Sequence, residues 1–318
     1  MKIIAENIFK ILFFSIFILS ACNKLPPMDD NMLDSGEIPY DYFTHPDSFL
    51  VSAAFPSPTP QQLQTPVVIA VHGYSSTTSE WDEFKNFADS NSVKKFYVSR
   101  VLLGGHGLSY VAFKNATWED WQAPIIKEYK KLDSTGFTNI SLAGSSTGGP
   151  LILEMMYSGK IKECIHQPKH LFLVDPIIIP SSKLLSVVDI IGPFVPYVKT
   201  DLDSAEQGHY YQYRPQESLN QLLDIIDLVR KKLEDGITFS ANTSLNVYKS
   251  ERDDAADPVG AVLLYKGIRL SNGEHITVEM ENSSLHVFTY LEYRENVTMQ
   301  DRQLQKKVFN EIASTVGQ

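Results

Sequence analysis

The sequence predicts an α/β fold in which a mostly parallel sheet carries helices on both of its faces. Two observations support this prediction. Short apolar segments typical of buried strands alternate along the chain with longer segments of helical periodicity. The clearest strand, V-V-I-A-V within 66–72, is apolar at every position. Such a continuous run is typical of a strand that is covered on both faces, as strands of parallel sheets are.

The first half of the chain contains three predicted strands and two predicted helix starts. The strands lie at 49–55, 66–72 and 96–103. Thr77 and Glu80 have the spacing of a capping box, so we expect a helix to begin there. Thr117 and Asp120 mark the start of a second helix in the same way.

The second half repeats the alternation. Further strands are predicted at 140–143, 170–179, 245–249 and 275–280. Further helices are predicted at 147–157, 216–233, 258–265 and 301–313.

Residues 180–244 interrupt this alternation. We interpret them as a helical cap insertion over a functional site, because a segment of this length between two core strands is unusual unless it has a role. Tyr210, Tyr211 and Tyr213 are amphipathic and are expected at a wet pocket mouth. A peripheral helical decoration is the alternative interpretation.

Residues 139–150 read N-I-S-L-A-G-S-S-T-G-G-P and contain the strongest chemical motif. A buried strand leads into G-x-S-x-G, with Ser146 at its centre, and a helix follows. This strand–turn–helix context is the one that a nucleophile elbow needs. Gly144 and Gly148 would leave room for the neighbouring chain. The alternative is a turn of small residues in a parallel sheet.

An elbow serine needs a base to accept its proton and an acid to orient that base. In this arrangement the order along the chain is Ser, Asp, His. His286 follows the last predicted strand in the segment E-N-S-S-L-H-V. Three acids follow the preceding strand, namely Asp253, Asp254 and Asp257. Asp257 precedes Pro258 and is also explained as a helix N-cap, so the residues alone leave the acid open.

Together these motifs resemble the α/β-hydrolases of the monoacylglycerol-lipase and bacterial carboxylesterase group, over roughly 49–316. H-G-Y at 72–74 and G-H-G at 105–107 precede the elbow, the acid segment and the H-V loop, in the order of that family. Leu285 stands where glycine is common, and Thr147 where glutamine or methionine is frequent. Neither departure removes a reacting group. The resemblance implies the α/β-hydrolase fold and favours Asp253 as the acid.

The resemblance also implies an activity. A serine hydrolase would cleave carboxylic esters, either monoacylglycerols or short- to medium-chain acyl esters, through an acyl-enzyme on Ser146 with His286 as base. The backbone amides of Tyr74 and Thr147 would form the oxyanion hole, and His72 and His106 would shape the pocket floor. Neither a metal nor an organic cofactor is expected.

The same fold supports other functions. A peptidase, a thioesterase or an acyltransferase would use the same machinery. A non-catalytic lipoprotein that binds lipid or a partner is the competing class.

Composition narrows the possible partners. The chain has 318 residues and a formal net charge of −10. Proteins that bind nucleic acid usually present a basic face to its phosphates, so we expect no nucleic-acid partner. The expected partners are a small ester or lipid substrate and, through the N-terminus, a membrane.

Residues 1–21 are predicted to be a bacterial lipoprotein signal peptide. The apolar run at 11–19 is too short to span a bilayer and is typical of a signal-peptide core. It ends in L-S-A-C, which resembles the lipobox, so Cys22 is expected to be acylated. An ordinary cleaved signal with a chance cysteine is the alternative.

This signal predicts the organisation of the whole chain. A polar tether is expected at 22–46 and an α/β-hydrolase domain at 47–318, with the cap at about 180–244. The protein would lie on the periplasmic or outer face of the bacterial cell envelope, anchored to the membrane by lipid.

Overall fold

The computed structural model describes residues 45–91, 95–181, 197–202, 206–292 and 294–317. The predicted signal peptide, Cys22 and nearly all of the predicted tether lie outside these ranges. Residues 182–196 of the insertion also lie outside them. No helix in the described ranges is long and apolar enough to cross a membrane.

Six parallel strands form the central sheet. They are β1 (Val67–Val71), β2 (Tyr97–Val101), β3 (Ile140–Ser145), β4 (His170–Val174), β8 (Ser244–Ser250) and β10 (Thr277–Glu281). Their order across the sheet is β10-β8-β4-β3-β1-β2, and every neighbouring pair is parallel. The predicted fold class is therefore confirmed.

Four short strands lie outside the central sheet. They are β5 (Tyr197–Lys199), β6 (Tyr213–Pro215), β7 (Ile237–Phe239) and β9 (Ile268–Leu270). β5 and β6 pair as an antiparallel ribbon, whereas β7 and β9 are parallel.

Nine α-helices occur in the described ranges. They are α1 (Val51–Ala54), α2 (Pro60–Gln64), α3 (Asp82–Ser90), α4 (Tyr110–Asn115), α5 (Trp118–Thr135), α6 (Gly148–Tyr157), α7 (Gln216–Asp235), α8 (Val259–Gly267) and α9 (Met299–Val316). Short 3₁₀ turns cover Pro46–Phe49 and Thr78–Trp81.

The core has two layers, one on each face of the sheet. Along β1, Val67 and Ile69 pack in the cluster that contains α5, α6, α7 and α8, whereas Val68 and Ala70 pack in the cluster that contains α3 and α9. Successive side chains of a strand point to opposite faces, so both sets are buried. This explains the uninterrupted apolar run of β1. Burial of each large apolar side chain contributes about 1.5–3 kcal/mol.

The predicted first strand at 49–55 is wrong, because this segment is helical. The Val51 amide donates to Ser99 Oγ at 3.0 Å, and the Ser52 amide donates to Glu128 Oε1 at 3.1 Å. Side-chain acceptors on β2 and α5 therefore take the place of a neighbouring strand. The two acceptors are distant in sequence, so local periodicity did not reveal them.

A helical segment follows Thr77, as predicted, but the capping box predicted from Thr77 and Glu80 is wrong. Thr77 caps the 3₁₀ turn by accepting the Ser79 amide, and α3 begins only at Asp82. The Glu80 carboxylate instead accepts the Gly73 amide at 3.0 Å. By contrast, a complete capping box opens α5, as predicted from Thr117 and Asp120.

The described residues of the insertion include the long helix α7 and the ribbon of β5 and β6. Leu222, Ile225 and Val229 of α7 are buried in the main core. The helix is therefore part of the main body. The ribbon of β5 and β6 borders the site described next, because Arg214 of β6 lines its cavity.

Candidate active site

Ser146 lies in the tight turn between β3 and α6. Its φ of 48° is in the left-handed region, and its amide donates to the Val174 carbonyl at 3.0 Å. A Cβ at Gly148 would lie 2.5 Å from the Val71 carbonyl oxygen, and one at Gly144 would lie 2.7 Å from the Gly148 backbone. Both glycines are therefore needed for the chain to pass. These features are those of a nucleophile elbow.

The structure brings Ser146, His286 and Asp253 together. His286 Nε2 lies 2.9 Å from Ser146 Oγ, and His286 Nδ1 lies 2.8 Å from Asp253 Oδ2. An ionised Asp253 can only accept, so Nδ1 carries the proton and Nε2 presents its lone pair to the serine hydroxyl. This is the tautomer that a general base for Ser146 requires.

Asp253 is the candidate acid that hydrogen-bonds His286. Its Oδ1 accepts the amides of Ala255 at 2.9 Å and Ala256 at 3.0 Å. Burial alone would raise the pKa of this carboxyl, but His286 and Lys249 outweigh burial and hold the pKa below its usual range. Asp257 instead accepts the Val259 amide at the start of α8, at 2.9 Å.

The predicted oxyanion hole borders the elbow. A Cβ at Gly73 would lie 2.9 Å from Ser146 Cβ, so the loop that carries Tyr74 packs directly against the nucleophile. Within the described ranges, neither the Tyr74 amide nor the Thr147 amide donates a hydrogen bond. Two unused N–H donors beside the nucleophile are what a developing oxyanion requires.

Glu80 supports this loop, a role that the sequence interpretation missed. Its carboxylate accepts the Gly73 amide and the Ser145 hydroxyl. Burial raises the pKa of Glu80, although these hydrogen bonds oppose the shift. Its spacing from Thr77 suggested a helix cap, and nothing in the local sequence identified the true partners.

His72 is fully buried next to the same loop, and neither His72 nor His106 is among the residues that line the cavity above Ser146. Its Nδ1 donates to the Gly73 carbonyl at 2.8 Å, and its Nε2 accepts the Leu103 amide at 3.1 Å. Burial lowers its pKa to about 4. A neutral His72 therefore joins the oxyanion loop to the end of β2. The His106 ring packs edge-on to it, with 5.3 Å between centroids.

A buried ion pair lies beneath the triad, and sequence interpretation missed it as well. Lys249 and Asp175 have fully buried side chains, with 3.2 Å between Lys249 Nζ and Asp175 Oδ1. Lys249 also contacts Asp253 Oδ2. Burial raises the pKa of Asp175, and the Lys249 charge opposes this shift. A charged residue at the end of each buried strand, V-D-P and Y-K-S, was the available signal.

A cavity of about 190 Å³ opens above Ser146. Its walls are largely polar and include Tyr74, Tyr210, Arg214, Tyr290 and Arg294.

The three tyrosines that are expected at the pocket mouth, Tyr210, Tyr211 and Tyr213, lie in different surroundings. Tyr210 lines it. Tyr211 is buried and stacks on Phe113 with 4.3 Å between ring centroids, so its predicted place at the pocket mouth is wrong. Tyr213 lies on the ribbon, where its ring contacts Tyr197.

The described residues contain no group of three or more His, Cys, Asp or Glu side chains arranged to hold a metal ion.

A larger cleft of about 730 Å³ lies between residues 46–50 and α5, and no triad residue lines it.

The sheet order and the elbow define the α/β-hydrolase fold. No family model matches the sequence. The chain is similar in structure to the metagenome-derived lipolytic enzymes LipS and LipT, with a TM-score of 0.61 and 16% identity over 80% of this chain and 94% of the other.

Two further solved structures agree with this fold. A soluble variant of monoglyceride lipase from Saccharomyces cerevisiae gives a TM-score of 0.60 and 12% identity, covering 80% of this chain and 86% of that one. A monoacylglycerol lipase from Paleococcus ferrophilus gives 0.58 and 14%, covering 79% and 96%. At these identities the similarity establishes the fold, and the chemistry is argued from the site itself.

Proposed function

We propose that the protein is a serine hydrolase that cleaves carboxylic esters through an acyl-enzyme on Ser146. The observation that supports this most is the hydrogen-bonded chain from Ser146 through His286 to Asp253 at the elbow. Each of these groups is a poor catalyst alone, and together they form an activated nucleophile.

In acylation, Ser146 Oγ attacks the ester carbonyl carbon while His286 Nε2 takes the hydroxyl proton. The carbonyl oxygen becomes an oxyanion and accepts the amides of Tyr74 and Thr147. When the intermediate collapses, the ester C–O bond breaks and the alcohol leaves with the proton held by His286. Asp253 remains ionised and stabilises the imidazolium while it exists.

In deacylation, water takes the place of the alcohol. His286 removes a proton from the water, which attacks the acyl carbon and forms a second oxyanion. Collapse breaks the bond to Ser146 Oγ and returns the proton to it, and the carboxylic acid leaves. The chain itself therefore supplies every proton acceptor and donor that the cycle needs.

The proposed substrates are monoacylglycerols or short- to medium-chain acyl esters. The lipolytic and monoacylglycerol-lipase neighbours support an ester or lipid substrate. The described cavity of about 190 Å³ is smaller than the roughly 300–1,000 Å³ of drug-sized ligand sites, which favours the shorter acyl groups. The sequence offers a further candidate for binding the acyl chain, the apolar residues within 190–197 of the insertion. It lies outside the described residues except for Tyr197.

A fluorophosphonate probe tests the proposal, since it phosphonylates an activated serine. We expect labelling of the wild-type protein and of Ser145→Ala, and no labelling of Ser146→Ala. Unlabelled but folded wild-type protein would instead favour the non-catalytic lipoprotein. A panel of esters, thioesters and peptides on the labelled protein would then separate esterase from thioesterase and peptidase.

We also propose that Cys22 carries a lipid anchor in the bacterial cell envelope, which rests on the L-S-A-C motif after the apolar run. More than one acyl chain on one residue is enough for stable membrane anchoring. The wild-type protein should partition into the membrane fraction, and Cys22→Ser should not. An unmodified Cys22 in the mass spectrum of the mature N-terminus would contradict this.

A further inference from the structure

The Lys249–Asp175 pair shares an oxygen atom with the catalytic dyad. Asp253 Oδ2 accepts both His286 Nδ1 and the Lys249 ammonium. Lys249 in turn lies 3.2 Å from Asp175 Oδ1. His286 therefore lies at one end of a row of charged groups, in the order His286, Asp253, Lys249 and Asp175. The proposed function assigns no role to Lys249 or Asp175.

Asp175 also contacts the loop that carries His286. Its Oδ2 accepts the amide of Val287, the next residue along the chain, at 3.0 Å, and its Oδ1 accepts the Ser250 amide at 2.7 Å. The competing explanation is that Asp175 and Lys249 only brace these loops. A brace and an electrostatic role predict different responses to a change of charge.

The charges in this row can be counted. The Asp175 carboxyl accepts the Lys249 ammonium and the amides of Ser250 and Val287, as an ionised carboxylate does. With Asp175 and Asp253 ionised and Lys249 protonated, one net negative charge lies beside the imidazole. Removing the Asp175 charge would leave Lys249 to cancel Asp253. Removing the Lys249 charge would leave two carboxylates. Charges in a buried site are weakly screened, so both changes should alter the electrostatic potential at His286.

We propose that Asp175 and Lys249 are positioning residues that keep one net negative charge beside the His286 imidazole. This charge stabilises the imidazolium that forms when His286 takes the proton of Ser146. The catalytic consequence rests on the proposed function, whereas the electrostatic claim does not.

Other charged groups also face His286 and must stay constant in the test. Arg294 donates to the His286 carbonyl oxygen. Glu80 lies close enough for the His286 charge to affect its pKa. Both residues are retained in every variant described next, so their contributions cancel in each comparison with the wild type.

The test is an NMR titration of the His286 imidazole in ¹⁵N-histidine-labelled protein, with the signal assigned by His286→Gln. In Asp175→Asn we expect the pKa of His286 to fall by about one unit, and in Lys249→Met to rise by about one unit, the lower end of the effect of a nearby charge. The double variant restores one net negative charge, so its pKa should return to the wild-type value.

Ser250→Ala is the matched control. It removes the 3.2 Å contact between Ser250 Oγ and Asp175 Oδ2 without changing a charge, so the titration should not move. Melting temperatures confirm that each variant is folded. If one of the two single variants does not fold, the other still tests the proposal. Its His286 titration must then shift in the direction given above for that variant.

The proposal is overturned if the two single variants shift the titration in the same direction or not at all. For active protein, the acidic limb of the kcat/KM profile should move with the NMR titration. Opposite shifts in a protein without ester hydrolysis would retain the electrostatic claim and reject the proposed function. If the protein hydrolyses esters but the titrations do not shift, the proposed function is retained and the electrostatic claim is rejected.

Discussion

The sheet side and the insertion side of the cavity are built differently. On the sheet side, the groups of the triad are held by backbone: the Ser146 amide donates to Val174, and Asp253 accepts two amides of its own loop. On the insertion side, the Tyr74 hydroxyl meets Ser218 Oγ at 2.6 Å, and half-buried Arg214 lines the wall. Under the proposed function, we therefore expect the sheet side to determine the reaction and the insertion side to determine which ester fits.

The largest expected effect concerns the nucleophile on the sheet side. Ser146→Ala should lower kcat by about a millionfold, the loss found when the serine of a triad is removed. Ser145→Ala is the neighbouring control. The Ser145 hydroxyl donates to Glu80, away from the reacting atoms, so a measurable rate should remain. Equal inactivation of the two folded proteins in an ester hydrolysis assay would break the assignment.

Asp253→Asn should lower kcat by roughly a thousandfold or more, because an amide no longer holds His286 in the required tautomer. Asp257→Asn is the matched change at the competing acid. It should retain most of the rate, since asparagine also caps a helix well. Steady-state kinetics of both variants decide between the two acids, and an unimpaired Asp253→Asn enzyme would move the role elsewhere.

Local motifs and long-range contacts were not equally visible in the sequence. The alternation of strands and helices follows from periodicity, and Ser146 and His286 follow from motifs of a few residues each. The helix α1, the true partners of Glu80 and the Lys249–Asp175 pair depend on contacts between residues far apart in sequence. A short window of sequence does not contain that information, so these features needed the structure.

The buried His72 on the sheet side should affect the pH dependence of stability. The folded-state pKa of His72, about 4, lies below the unfolded value of about 6.5. As the pH falls between these values, the unfolded chain takes up the proton first, and stability is lost. The expected loss is about 3 kcal/mol.

His72→Gln keeps an acceptor for the Leu103 amide but cannot titrate. Chemical denaturation at pH 7 and pH 4 should therefore give a smaller difference for this variant than for the wild type. Equal pH slopes for the two proteins would mean that His72 is not a neutral buried group.

The smallest expected effect lies on the insertion side. Tyr74→Phe removes the hydrogen bond to Ser218 and leaves the oxyanion amide in place. We expect a loss of about 1 kcal/mol in the free energy of unfolding, and a change in KM larger than the change in kcat. A kcat loss as large as that of Asp253→Asn would show that the insertion side also determines the reaction.

The central claim is tested most directly by trapping the acyl-enzyme. We would mix the protein with p-nitrophenyl butyrate, quench with acid within the first turnover, and locate the added mass by peptide mapping. The account predicts a burst of p-nitrophenol and one butyryl group on the peptide that contains Ser146. Steady hydrolysis with no acylated peptide, or with the acyl group on another residue, would contradict it.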